Sequence, residues 1–185
     1  MGFQVVGALG GEDEMPGSND LLSSEDLAAL EAKVLEIPLL GRRSRPGKRD
    51  RVIGYAPGAW DMFHIGHLNL LLRVRPMCDH LIVGVASDAA VELAKSKRPV
   101  IALAERMQIV AALGLVDQVV VDQGSKLDVY HRHPFDVLFK GDDWLGTPKG
   151  DKLIADMASV GARVEFLSYT TGISSTRLRQ ITSAV

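Results

Sequence analysis

Short apolar segments alternate with helical patterns from residue 51 onward, and this alternation limits the folds that the chain can adopt. The segments that read as strands are 51–56, 81–85, 118–121, 136–139 and 163–167. The stretches that can form helices between them lie around residues 66–75, 103–114, 125–132 and 149–160. Nearly continuous apolar strands are typical of burial on both faces, and helical crossovers join parallel strands. The sequence therefore predicts an α/β fold, a Rossmann-like doubly wound parallel sheet.

Polar loops follow several of these strands. In doubly wound sheets, ligands bind beyond the carboxyl ends of the strands. The loops that contain His64 and His67, Gly141 and Thr171 would meet at that edge. We therefore expect distant motifs to share one crevice.

The loop after the first strand predicts a phosphate site. Pro57 and Gly58 let the backbone turn off the strand, and Gly66 lets a ligand approach the first helical turn, where free amide groups attract anions. His64 and His67 are three residues apart, which places both imidazoles on one side of the helix start. Two donors and the amide groups can then converge on one phosphate.

Two other interpretations of these histidines stay open. They can be helix-start residues packed against the sheet, or they can form a metal site with Asp61. A metal site needs three or four ligands, and no further cluster of histidine or cysteine lies nearby in the sequence. The phosphate interpretation uses every residue present.

Composition fits one globular domain with an appendage. The 185 residues are 46% hydrophobic and 24% charged, with a formal net charge of −2. This small charge provides no electrostatic argument for nucleic acid, and the basic run at 42–49 reads as a solvated linker. The single cysteine, Cys78, excludes an internal disulfide. No apolar stretch approaches the roughly 20 residues of a membrane span, and no signal-peptide layout is present, so we expect a cytoplasmic location.

Residues 1–50 differ from the rest and are expected to be an N-terminal extension. Residues 10–20 mix glycine, proline and acids, which predicts disorder. A helix is then expected to begin with Ser23 or Ser24 as its cap and to end before Pro38. Its apolar face contains Leu27, Leu30, Val34 and Leu35. We expect that face to dock on the chain's own domain.

A second motif, residues 140–144, follows the fourth predicted strand and reads Lys-Gly-Asp-Asp-Trp. A carboxylate here can accept a hydrogen bond from a base amine or orient a lysine, and Trp144 offers a flat apolar surface. A plain loop turn with a packing tryptophan is the alternative.

A third motif, residues 169–179, places Gly172 before a hydroxyl triplet that opens the last predicted helix. Ser174, Ser175 and Thr176 can cap that helix, and their hydroxyls and amides also suit the β- and γ-phosphates of a nucleotide.

Together these motifs resemble the nucleotidyltransferases of the cytidylyltransferase family. Its G-x-F-D-x-x-H-x-G-H pattern is similar to residues 58–67, its G-D-D-W to 141–144 and its G-I-S-S/T-T to 172–176. The resemblance covers residues 51–181, points to a glycerol-3-phosphate cytidylyltransferase-like enzyme and makes 51–185 the nucleotidyltransferase domain. The implied reaction transfers CMP from CTP to glycerol 3-phosphate or another small polyol phosphate, releasing pyrophosphate, with Mg²⁺ as cofactor. A homodimer without nucleic-acid partners is also implied.

The resemblance also implies roles for individual residues. His64, His67 and Lys95 would be catalytic, and Lys95 and Lys126 would bind the acceptor. The implied nucleotide-binding residues are Ala59, Trp60, His64, Gly66, His67, Asp143, Tyr169, Thr170, Thr171, Gly172, Ile173, Ser174, Ser175 and Thr176.

Two departures from the family pattern put the base and the acceptor in doubt. Gly114 stands where the glycerol-phosphate enzymes often have a nucleotide-contacting arginine, and Tyr169 replaces the arginine that normally opens their R-T-x-G-I-S segment. Compensating arginines would be Arg98, Arg177 or Arg179. Residues 98–117 also resemble heptose-phosphate adenylyltransferases, so an adenylyltransferase acting on heptose 1-phosphate is the alternative. A non-catalytic nucleotide-binding protein is the second alternative.

Overall fold

A computed structural model describes residues 22–35 and 51–168 of the chain. In these ranges the strands are β1 (Ile53–Gly58), β2 (His80–Ala86), β3 (Gln118–Asp122), β4 (Val137–Gly141) and β5 (Arg163–Leu167). The helices are α1 (Ser24–Leu35), α2 (Ile65–Val74), α3 (Asp88–Lys95), α4 (Leu103–Ala111), α5 (Lys126–Arg132) and α6 (Pro148–Ser159). Single 3₁₀ turns follow α2 at Arg75–Met77 and β4 at Asp142–Trp144.

The described strands form one parallel sheet in the order β3-β2-β1-β4-β5. The chain moves outward from β1 to β3 and then returns to the other side of β1, which is the doubly wound topology. The predicted fold is confirmed.

The sheet divides between β1 and β4. These strands pair at Gly54↔Val137 and Tyr55↔Leu138, and their ladder stops there. The β1–β2 ladder continues to Gly58↔Val85, and the β4–β5 ladder continues to Gly141↔Leu167. The carboxyl ends of the two central strands therefore diverge at the topological switch point, which opens a crevice beside both of them.

This division corrects one expectation about the first loop. Pro57 and Gly58 lie inside β1 rather than in the turn, and Pro57 pairs with Gly84 of β2. Proline has no N–H for a sheet ladder, which normally excludes it from a central strand. Here β4 has already left β1, so no ladder bond is broken on that side.

Alternate residues of the strands face two separate cores, as the period of a strand requires. On one face Ala56, Val83 and Val121 pack with helices α1, α2 and α4. On the other face Tyr55 and Leu138 pack with α5 and α6. Burial on both faces holds for the inner strands, but it is wrong for β5. That strand lies at the edge of the described sheet, and only Leu167 in it is fully buried.

Helix α1 docks on the domain, as its apolar face predicts. Ser23 caps it, with the Asp26 N–H donating to Oγ at 3.1 Å. Leu27 and Val34 are buried in the α2–α4 core, and Leu30 packs against that core. The Leu35 side chain, the expected disorder at 10–20 and the basic linker at 42–49 lie outside the described residues.

Helix α1 also covers the edge of β3. The carboxylate of Glu31 accepts a hydrogen bond from the Val121 N–H at 2.7 Å, so an edge amide of the sheet is satisfied by a side chain. None of the helices in the two described ranges has the length and apolarity needed to cross a membrane.

Candidate active site

The start of α2 brings the two histidines together. His64 is the N-cap residue, and its Nδ1 accepts from the Gly66 N–H at 3.1 Å. The His64 N–H points back to Nδ1 of His67 at 3.4 Å, and the two rings stack with their centroids 3.9 Å apart. The histidines are helix-start residues, and the same contacts aim them as a pair.

These contacts define the protonation state of both rings. An Nδ1 that accepts from a backbone N–H carries no proton, so a neutral ring holds its proton on Nε2. Burial lowers the pKa of His64. Burial, together with repulsion from His64 in its protonated form and from Lys95, lowers the pKa of His67 to about 4. At neutral pH the pair therefore presents two neutral Nε2–H donors beside the positive end of α2.

Trp60 shapes the turn from β1 into α2. Its indole is 2% exposed and donates from Nε1 to the Gly84 carbonyl at 3.0 Å. Trp60 and Met62 both have positive φ angles, of 55° and 50°. A Cβ on Gly58 would lie 2.9 Å from the indole, which explains the glycine. The Trp60 ring faces the core near His67, so a nucleotide would reach only its backbone.

Asp61 fastens this turn to the segment before α4. Its carboxylate is buried, and Oδ1 accepts from the backbone N–H groups of Val100 and Ile101, each at 3.0 Å. These contacts give Asp61 a structural use. Within residues 22–35 and 51–168, no group of three histidine, cysteine or acidic residues is placed to hold a metal ion.

Arg106 organises the site, a role that the sequence analysis did not assign to it. Its side chain is fully buried. Nε donates to the Ile101 carbonyl at 2.9 Å, and the guanidinium also contacts the Ala59 carbonyl and the Asp88 carboxylate. It thereby joins the loop after β1, the start of α3 and the segment before α4. The sequence does indicate that Arg106 is buried, because it lies on the apolar stripe of α4 that contains Leu103, Met107 and Val110. A charged residue at a buried position needs polar partners.

The second motif lies at the end of β4, across the divided ladder from the histidines. Asp143 is exposed in the 3₁₀ turn, and Trp144 packs partly against the α5–α6 core. The Lys140 ammonium lies 4.3 Å from the centre of the Trp144 ring. Trp144 thus packs against the core and also makes a cation–π contact with the Lys140 ammonium.

The Lys126 ammonium is fixed by an ion pair and a hydrogen bond. Its Nζ lies 2.7 Å from Oδ2 of Asp122 and 3.1 Å from the Gly124 carbonyl. Asp122 is buried and also accepts from the Tyr55 hydroxyl at 2.8 Å. The predicted acceptor-binding lysine is therefore fixed at the carboxyl end of β3 by a buried carboxylate.

Lys95 is exposed at the last residue of α3. Its charge contributes to the lowered pKa values of both His67 and Lys140, so it acts on both walls of the crevice. Arg98, one of the expected compensating arginines, pairs with Glu92 at 3.2 Å.

Gly114 lies away from the crevice, although a nucleotide-contacting arginine at this position would have to lie in it. It is in the exposed turn between α4 and β3, just before β3 begins. That turn is at the amino ends of the parallel strands, opposite the crevice, so an arginine is not missing from the crevice at this position. Residues 169–176, Arg177 and Arg179 lie outside the described residues.

A family model described as Cytidylyltransferase-like matches residues 55–181. The chain belongs to the cytidylyltransferase-like family. The matched range contains both crevice walls and the third motif. The resemblance found in the sequence is therefore confirmed at the level of the family.

The relatives of this cytidylyltransferase-like chain carry a different name from the one that its sequence suggested. The bifunctional protein HldE of Koribacter versatilis is 32% identical over 85% of this chain and 32% of its own length. HldE of Geotalea uraniireducens is 32% identical over 94% of this chain and 36% of its own length. The chain thus spans about a third of the length of these relatives. They do not support a specifically glycerol-3-phosphate enzyme.

Solved structures agree on the fold. The lipopolysaccharide core biosynthesis protein from Thermoplasma volcanium matches with a TM-score of 0.57 and 21% identity, over 67% of this chain and 100% of that one. Pantoate-beta-alanine ligase from Francisella tularensis matches with a TM-score of 0.53 and 13% identity, over 85% of this chain and 75% of the ligase. At these identities the likeness concerns the fold alone.

Proposed function

We propose that this chain transfers a nucleotidyl group from a nucleoside triphosphate to the phosphate of a small acceptor and releases pyrophosphate. The carrying observation is the pair of neutral Nε2–H donors of His64 and His67 at the start of α2, beside the divided ladder. Such donors suit phosphate oxygens that gain negative charge during transfer.

For the substrates we propose ATP and a sugar phosphate such as heptose 1-phosphate. Residues 98–117 resemble heptose-phosphate adenylyltransferases, and the relatives named HldE favour this alternative over CDP-glycerol synthesis. The location of Gly114, opposite the crevice, leaves Tyr169 as the remaining departure from the glycerol-phosphate pattern.

In the proposed reaction an acceptor phosphate oxygen attacks the α-phosphorus, and the bond from that phosphorus to the pyrophosphate oxygen breaks. The protein needs no nucleophile, so rate enhancement comes from alignment and charge stabilisation. His64 and His67 would donate to the transferring phosphoryl group, while Lys95 and Lys126 would hold the acceptor. Arg106 and Asp61 would keep the histidine turn in place without touching substrate.

Mg²⁺ remains a proposal. The described residues do not form a resident metal site, so we derive no step through a protein-bound ion. A magnesium ion would enter on the nucleotide phosphates and screen their charge, since Mg²⁺ commonly keeps few protein ligands. The homodimer and the cytoplasmic location also remain predictions.

A second candidate keeps the reaction with CTP and glycerol 3-phosphate. The observation that favours it is the Gly-Asp-Asp-Trp sequence at 141–144, which forms the β4 wall of the crevice. A protein that binds nucleotide without turnover is the third reading.

Pyrophosphate release separates these candidates. The purified chain would be assayed with Mg²⁺, with ATP or CTP, and with heptose 1-phosphate or glycerol 3-phosphate. Release with ATP and heptose 1-phosphate supports the proposal, and release only with CTP and glycerol 3-phosphate supports the second candidate. Nucleotide binding without release with any pair would favour the binding protein.

A further inference from the structure

Lys140 occupies a strand end that the proposed roles leave unused. It is the residue before the last of β4, paired with Phe166 of β5, and it lies beyond the point where β1 leaves β4. Two residues beyond Leu138 on the same strand, Lys140 projects from the sheet face that packs against α5 and α6, at the end of β4 where the crevice opens.

The Lys140 ammonium has an unusual set of neighbours. It is half-buried, and the Trp144 ring centre lies 4.3 Å from Nζ. Among the described residues no carboxylate lies within ion-pair distance of it, whereas Lys126 has Asp122 at 2.7 Å and Lys152 has Asp156 at 2.6 Å. A ring face holds a cation in place without neutralising it.

The charged groups around Lys140 favour the binding of an anion. Burial lowers the pKa of Lys140, the Asp143 carboxylate opposes this shift, the positive charges of Lys126 and Lys95 lower the pKa further, and Asp122 again acts in the opposite direction. Three lysines from three elements, the end of α3, the start of α5 and the end of β4, thus influence one place. Because Asp143 and Asp122 offset only part of this positive charge, a phosphate would still be attracted to it.

We propose that Lys140 binds a phosphate group of the substrates, with Trp144 as the platform that orients its ammonium. This inference rests on the proposed function, and it adds a phosphate-binding residue on the β4 wall opposite the histidines. The phosphate can belong to the nucleotide or to the acceptor.

Steady-state kinetics with three variants tests this role. Lys140→Met removes the charge at similar length, Lys140→Arg retains it, and Lys152→Met is the control because that lysine is largely exposed on α6. We expect Lys140→Met to raise the KM of one substrate about 10- to 100-fold, the range for losing one charge-assisted hydrogen bond. Lys140→Arg should recover most of this loss, and Lys152→Met should change nothing. The substrate whose KM rises identifies the phosphate.

Two results would overturn the inference. One is that the wild type is active and that a folded Lys140→Met variant has the same kcat and the same KM for both substrates. The other comes from calorimetric titration with inorganic pyrophosphate and then with inorganic phosphate, which represent the nucleotide and acceptor phosphates and need no turnover. If the wild type is inactive with every substrate pair, the proposed function fails, and this titration still decides the role of Lys140. Weakening of either anion by about tenfold or more in Lys140→Met supports the role, and equal or absent binding of both anions overturns it.

Discussion

The His64 N–H donates to Nδ1 of His67 at 3.4 Å while the two imidazoles stack 3.9 Å apart. Together with the Gly66 N–H on Nδ1 of His64, this arrangement leaves Nε2–H as the free donor on each ring. The contacts that cap α2 are therefore the same contacts that would direct both Nε2–H groups at a phosphate in the proposed function. A substitution in the pair disturbs both.

His67→Ala should lower turnover by at least about 100-fold, comparable to the loss of one donor in an oxyanion site. The measurement is kcat for pyrophosphate release, with circular dichroism to verify folding. His131→Ala is the matched control, because His131 is exposed on α5. Near-normal turnover of a folded His67→Ala variant would remove His67 from the mechanism.

His67 should also make stability depend on pH. Its pKa of about 4 in the folded chain lies below the ordinary value of 6.5, so the unfolded chain binds more protons between these values. The free energy of unfolding should therefore rise with pH in this window, and wild type should lose roughly 1 to 2 kcal/mol between pH 7 and pH 5 through this group. Urea unfolding of wild type and His67→Gln measures it. Identical pH slopes in the two proteins would contradict the assignment.

Arg106→Met should destabilise the fold by about 3 kcal/mol, because it leaves the carbonyls of Ala59 and Ile101 without their donor and Asp88 without its partner. Urea unfolding at pH 7 provides the comparison. Arg163→Met, at an exposed arginine where β5 begins, should change stability by about 0.5 kcal/mol or less. Equal effects of the two substitutions would show that the buried contacts contribute little.

Glu31→Gln should loosen α1 and reduce the free energy of unfolding by about 1 to 2 kcal/mol. Burial alone would raise the pKa of Glu31, but hydrogen bonds from His133 and the Val121 N–H, with the charges of His133 and Arg132, lower it. The carboxylate therefore stabilises the fold at neutral pH, and this contribution is lost as pH falls through the folded pKa. Glu25→Gln, on the exposed side of α1, is the control. Hydrogen exchange of the Val121 amide should rise only in Glu31→Gln.

Sequence periodicity predicted the bounds of the strands and helices closely. The β5 segment 163–167 agrees with the structure residue for residue, and α2 begins one residue before the expected stretch at 66–75. Apolar patterns report which side of an element is buried, and in this sheet that is sufficient to place strands and crossovers.

Side-chain roles that depend on distant partners were not accessible in this way. The role of Arg106 arises from contacts with the loop after β1, the start of α3 and the segment before α4, and the packing of Trp60 into the core arises from a turn with positive φ. Gly114 was placed by its resemblance to a pattern, while the direction of α4 puts it at the opposite edge of the sheet. Spacing along the chain does not contain that information.

The most direct test of the account is the product formed from ATP and heptose 1-phosphate, identified by mass spectrometry and compared with the amount of pyrophosphate released. We predict an ADP-linked sugar and pyrophosphate in equal amounts, and neither product when the acceptor is omitted. Nucleotide hydrolysis without a linked product, or linked product only from CTP and glycerol 3-phosphate, would contradict the proposed substrates. No linked product with any pair would contradict nucleotidyl transfer itself.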